Sequence, residues 1–171
     1  MKVSKAPIQD PSRCTRLRGS SVRRALGVYL GVTAVANLLW ETLQLPLYTI
    51  WTTGTAREIT FAVMHCTAGD VLIAFGALFL AIIAGRCSSS PIDSWKRIAA
   101  LTIVFGIAYT AFSEWLNIYV RHTWTYAPIM PVLRVGRIEL GLSPLAQWVV
   151  VPSVALAFVK WRLSRVRTSD G

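Results

Sequence analysis

The sequence predicts an all-α protein, an integral membrane four-helix bundle. Three observations carry this expectation. Of 171 residues, 54% are hydrophobic and only 15% charged, where a soluble domain holds about 25% charged residues. The mean hydropathy is +0.50. Four separate segments reach the length of about 20 apolar residues that a helix needs to cross a bilayer.

The first span is expected at about 25–45, through GVYLGVTAVANLLW, and stops at Pro46, because proline cannot continue a helix ladder. The second is expected at 59–84, containing MHCTAGDVLIAFGALFLAII. The third, 98–119, reads IAALTIVFGIAYTAFSEWLNIY, and the fourth, 142–159, reads LSPLAQWVVVPSVALAFV. Residues 21–162 thus make one transmembrane domain. The tails, 1–20 and 163–171, are polar and basic and are expected to be disordered. A competing reading takes residues 1–36 as a cleaved signal, with the Arg23-Arg24 pair, an apolar run and the Ala34-Val35-Ala36 triplet. The apolar run continues to Trp40 and Leu43, which favours an anchor.

Charge placement predicts orientation. With four spans, one side collects fourteen of the 18 Lys and Arg residues, from the N-terminal tail, the second connection and the C-terminal tail. The other receives only Arg57, Arg121, Arg134 and Arg137. The positive-inside rule then puts both termini in the cytoplasm, with two loops outside; the small size and lack of eukaryotic sorting signals suggest a bacterial inner membrane. The formal net charge of +10 does not imply nucleic acid, because the cations cluster at span ends beside lipid headgroups. Cys14, Cys66 and Cys87 form no CxxC and no even-numbered framework. Cys14 and Cys87 fall on the reducing side, and Cys66 is expected as a packing residue.

The polar residues of the spans share one depth. Glu41 and Gln44 close span one, beside Trp40. His65 and Asp70 lie about 9 and 16 Å inside span two at 1.5 Å per residue. Glu114 and Asn117 lie in the outer third of span three, with Thr110 and Ser113 on the same face and Arg121 above as a partner for Glu114. Gln147 is just inside span four. The inner halves, such as LIAFGALFLAII, hold almost no polar residue. The expectation is a pocket opening outward and closed at its cytoplasmic end. One geometric strain is visible already: His65 and Asp70 are about 140° apart around a straight helix, so both face one centre only if the helix bends near Gly69.

A carboxylate in hydrocarbon costs about 2.5–3.5 kcal/mol, whereas an interhelical polar bond returns only about 0.6 kcal/mol. That mismatch favours function over a purely structural cluster. Acid–base chemistry suits the residue types. Glu114 and Asp70 are expected as proton-handling acids, His65 as the base, and Glu41 as a further catalytic acid. Asn117 and Gln147 would orient a substrate, with Gln44, Trp40, Trp124 and Tyr126 lining its site. The substrate expected is a lipid or isoprenoid, and the enzyme type an isomerase, cyclase or hydrolase. His65 with the carboxylates would also offer N/O ligands to a metal, but no HxxxH or ExxH spacing is present, and no motif specifies a cofactor. A proton- or ion-coupled transporter or channel subunit is the main alternative. An assembly factor is a third, suggested by the Gly27-Gly31 GxxxG. Membrane lipids, a hydrophobic small molecule and further copies of the chain are the expected partners.

Between spans three and four, YVRHTWTYAPIMPVLRVGRIELGLSP is expected as an aromatic interfacial belt or a structured lid over the pocket. PLYTIWTTG, 46–54, would cap the other side. Taken together, WETLQLPLY, MHCTAGDV, FSEWLN, WTYAPIMP and GLSPLAQW resemble a family of small four-span bacterial membrane proteins of unassigned function. Over about residues 25–160 this resemblance implies the four-span architecture and no catalytic role. In chemistry alone, the acids, histidine, asparagine and tryptophans are similar to integral-membrane sterol isomerases and terpene cyclases. Those manage carbocations with carboxylates and aromatic walls, an analogy of composition.

Overall fold

A computed structural model describes residues 11–85 and 91–169. It is an all-α four-helix bundle with one two-stranded hairpin. Helix α1 spans Pro11–Gln44 and tightens into a 3-10 turn, Leu45–Leu47, at Pro46. A single turn, α2 (Ile50–Thr53), leads into α3 (Ala56–Gly85). Helix α4 (Pro91–Trp115) continues as a π-helical turn, Leu116–Val120. Strands β1 (Val132–Val135) and β2 (Ile138–Gly141) precede α5 (Leu142–Ser169).

Four helices are long and apolar enough to cross a membrane: Val22–Leu47, Ala56–Gly85, Trp95–Val120 and Leu142–Arg165. They are consistent with a multi-pass membrane protein. Each overlaps its expected span. Helical backbone also runs from Pro11 and on to Ser169, into the segments expected as tails. Cys87 lies outside the described residues, and so does the side chain of Cys14; Cys66 is a partly buried free thiol.

Many large apolar side chains face outward. Leu43 is 79% exposed, Leu72 72% and Phe61 68%, the pattern of helices that are hydrophobic all round and meet lipid. The helices pack in a ring, α1 on α3, α3 on α4, α4 on α5 and α5 on α1. The core gathers Tyr29, Ala74, Leu78, Trp148, Ala155, Leu156 and Val159. Small alanines on α3 and α5 let the helices approach. On α4, Gly106 is the seat of the Trp148 ring: a Cβ there would stand 2.0 Å from Trp148 Cε3.

Local chemistry sets the element ends. Thr55 and Glu58 form a capping box at the start of α3. The Glu58 carboxylate accepts from the Thr55 N–H at 2.8 Å, and Thr55 Oγ1 accepts from the Glu58 N–H at 3.3 Å. The π-helical turn ends at His122, whose φ of 53° reverses the chain. The hairpin pairs Val132 with Gly141 and Val135 with Ile138. That leaves Gly136 and Arg137 as a two-residue turn with positive φ (63°) at Gly136 only, the type II′ geometry that fits strand twist. Arg134 and Glu139, opposite one another, form an exposed ion pair at 2.8 Å.

The two connections at this end of the bundle form one lid. The Thr49 N–H donates to the Thr125 carbonyl at 3.1 Å, and the Ala127 N–H to the Leu47 carbonyl at 2.9 Å. Tyr48 and Tyr126 form the β-bridge between them, their rings 5.7 Å apart.

Candidate functional site at the lid end

The acid cluster is built from three helix faces. On α1, Asn37, Glu41 and Gln44 recur at i, i+4 and i+7, one face of the helix. On α5, Ser143 and Gln147 are one turn apart. Pro144 sits between them in the first turn, where its missing N–H is not needed. On α3, Thr67, Asp70 and Ala74 share the inward face. Gln44, Asn37, Gln147 and Thr67 are buried, while Glu41 and Asp70 are partly buried.

Gln147 is the hub. Its Nε2 donates to Asn37 Oδ1 at 3.0 Å, Glu41 Oε1 at 3.0 Å and Asp70 Oδ2 at 2.9 Å. The two carboxylate oxygens therefore lie within about 6 Å of each other. One NH₂ group has two protons for three acceptors. The chain extends along the lid side. Gln44 Nε2 donates to Glu41 Oε1 at 2.9 Å, Ser143 Oγ to Gln44 Oε1 at 2.8 Å, and Trp40 Nε1 to Ser143 Oγ at 3.3 Å.

Glu114 forms a second, adjoining centre under the lid. It is 5% exposed and accepts a short hydrogen bond from the Tyr126 hydroxyl. That hydroxyl accepts in turn from the Gly141 N–H at 2.7 Å. The arrangement needs a residue without a side chain, since a Cβ on Gly141 would stand 3.1 Å from the Tyr126 ring and hydroxyl. Burial first, and then the Glu114 carboxylate, push the phenols of both Tyr126 and Tyr48 above the ordinary tyrosine range. Tyr126 thus stays a proton donor to Glu114. The buried Trp124 Nε1 has no hydrogen-bond partner.

Several expectations change. His65 is exposed and stacks on Phe61 at 5.5 Å. The α3 helix does not bend at Gly69, so the separation of about 140° turns the imidazole outward while Asp70 faces Gln147. The structure does not bring His65 to the acids. Asn117 is also apart: its Nδ2 donates to the Ser113 carbonyl at 2.8 Å, and its Oδ1 accepts from Thr123 Oγ1 at 3.1 Å. Its work is to close the π-helical turn. Arg121 is exposed, and Tyr126 rather than Arg121 meets Glu114. Among the described residues, no three His, Cys, Asp or Glu side chains are disposed to hold a metal ion.

Other expected residues are brought together: Glu41, Asp70, Gln147, Gln44 and Trp40 in one network, Glu114 and Tyr126 in the next. Cys66, a partly buried free thiol, precedes Asp70 by one turn of α3. Asn37, Ser143 and Tyr48 join the site without having been singled out. The first two lie one turn from Glu41 and Gln147, a spacing that would have found them. The half of the bundle away from the lid is not free of polar groups either, since Thr33 and Tyr29 are each 1% exposed in the interior.

No family model, curated protein or solved structure matches this chain.

Proposed function

We propose that the protein is a multi-pass protein of a bacterial inner membrane, with both termini cytoplasmic and the lid outside. Its acid network binds or converts a hydrophobic small molecule, a lipid or isoprenoid, by acid–base chemistry. The observation that carries this reading is the Gln147 amide bonded at once to Glu41 and Asp70. Neighbouring carboxylates oppose each other's ionisation, so one serves as acid while its neighbour serves as base. The pair takes the role that His65 was expected to fill.

The remaining groups have matching roles. Gln147, Gln44 and Asn37 hold the pair's geometry, and Trp40 presents an aromatic wall beside it. Glu114 and Tyr126 form a second proton-holding unit that couples the site to lid closure. The substrate enters from the surrounding lipid, and membrane lipids and further copies of the chain are the partners. Proton-coupled transport is the second reading. The polar residues Asn37, Thr33 and Tyr29, descending α1 below the acids, favour it.

The test is purification in native membrane discs followed by mass spectrometry of the bound lipid fraction. A specific isoprenoid or lipid, enriched over the bulk membrane and lost in Asp70→Asn, is the expected result. A bound fraction identical to bulk lipid in wild type and variant would overturn the reading. Reporter fusions at each terminus test the orientation independently.

A further inference from the structure

Below the acid pair, α1 continues its polar face. Thr33 lies one turn from Asn37, and Tyr29 one turn further, each step about 6 Å along the axis. Tyr29 and Thr33 are i, i+4 neighbours on one face of α1. Yet neither the Tyr29 hydroxyl nor Thr33 Oγ1 has a hydrogen-bond partner of good geometry. Both residues are 1% exposed. A threonine in a helix ordinarily bonds back to the carbonyl four residues earlier, as Thr102 does to Ile98 at 2.8 Å. Thr33 does not.

A third polar group faces the same region. Pro152 lies inside α5 and is fully buried. It has no N–H to give to the carbonyl of Trp148, four residues before it. Pro152 and Trp148 are both buried in the bundle. Trp148 and Tyr29 belong to one packed cluster. Two hydroxyls without partners and one carbonyl without its usual helical N–H thus lie in an otherwise apolar core. Each unpaired polar group buried in this way is costly, and internal water with two to four polar partners is the usual remedy.

We propose that Tyr29, Thr33 and the Trp148 carbonyl form a binding site for internal water, which relays protons between the Glu41–Asp70 pair and the half of the bundle away from the lid. A single water bridges groups separated by one helical turn, so water at Thr33 reaches Asn37. Asn37 already accepts from the Gln147 hub. In each transfer a hydroxyl or water oxygen accepts one proton and passes on another; the Asn37 amide only anchors the last water, which hands its proton directly to a carboxylate of the pair, with no net change in the relay. The inference rests on the acid–base reading of the pair, and it serves conversion and transport alike.

The experiment is infrared spectroscopy of the full chain in phosphatidylethanolamine–phosphatidylglycerol vesicles, following the protonated carboxyl band after transfer to D₂O. Wild type should show the band and its deuterium shift. Thr33→Val and Tyr29→Phe should each slow that shift about tenfold, by removing one hydrogen-bonding step. Thr33→Ser, which keeps the hydroxyl, should exchange like wild type and so guards against a folding artefact. A band that exchanges at the wild-type rate in both Thr33→Val and Tyr29→Phe overturns the relay and leaves the acid pair standing. A slowed Thr33→Ser overturns it too. The absence of any protonated carboxyl band in wild type removes the acid pair itself.

Discussion

Gln147 on α5 and Asp70 on α3, 77 positions apart in sequence, are joined by a hydrogen bond of 2.9 Å. The same nitrogen reaches Glu41 and Asn37 on α1, so one amide ties three helices at one depth. Gln147→Leu should leave the buried Asn37 Oδ1 and the partly buried Asp70 Oδ2 without their donor, while Glu41 keeps the bond from Gln44. At about 1–3 kcal/mol for an unpaired buried group, the variant should lose several degrees of melting temperature in detergent. It should lose substrate binding as well. A melting temperature unchanged from wild type would show that the hub holds nothing together.

Gly106 and Trp148 give a prediction about packing alone. Gly106→Ala drives a methyl group into the indole and should destabilise the bundle by about 1–3 kcal/mol, the usual range for overpacking. Trp148→Phe makes room, so the double variant should recover part of the loss in a thermal denaturation series. Additive losses would contradict the contact.

Alkaline titration tests the latch between Tyr126 and Glu114. The folded phenol titrates above the ordinary value of about 10 that it has when unfolded. The stability it contributes is therefore whole below pH 10 and is lost as pH rises beyond that, because only the unfolded chain releases the proton. Tyr126→Phe should flatten this alkaline limb and speed amide exchange in β1 and β2. A limb of unchanged steepness would assign the effect elsewhere.

His65 supplies a negative control. It is exposed and stacked on Phe61, so His65→Ala should change stability by no more than about 0.5 kcal/mol and leave lipid enrichment intact. Loss of enrichment comparable to that of Asp70→Asn would return the imidazole to the site.

The four spans were legible because each is a long apolar run, and lipid rather than long-range packing selects such runs. The acids were legible for the same reason, being costly exceptions to it. Helical spacing grouped Glu41 with Gln44 and Cys66 with Asp70 correctly. It also warned against His65, since a straight α3 cannot turn both His65 and Asp70 inward. Three features needed contacts distant in sequence. The partner of Glu114 is Tyr126, reached only because β2 ends at Gly141 and offers its N–H. The union of the two connections depends on Thr49 meeting Thr125. Thr33 in the pattern GVTAVANLL resembles any helical threonine until its burial and its missing carbonyl bond are seen. The hairpin itself had a local signal, VLRVGRIEL, with glycine opening a two-residue turn between short β-branched runs. The Thr55–Glu58 pair likewise marked the start of α3.

Adjacent positions on α5 carry two unlike restraints, an amide that serves three helices and an indole wedged against a glycine. Sliding α5 lengthwise would break both together, and rotating it would turn either one toward lipid. Such a helix behaves as a fixed post. Any movement at this end of the bundle therefore belongs to the paired connections above it, which a few threonine contacts and one phenol hydrogen bond hold together.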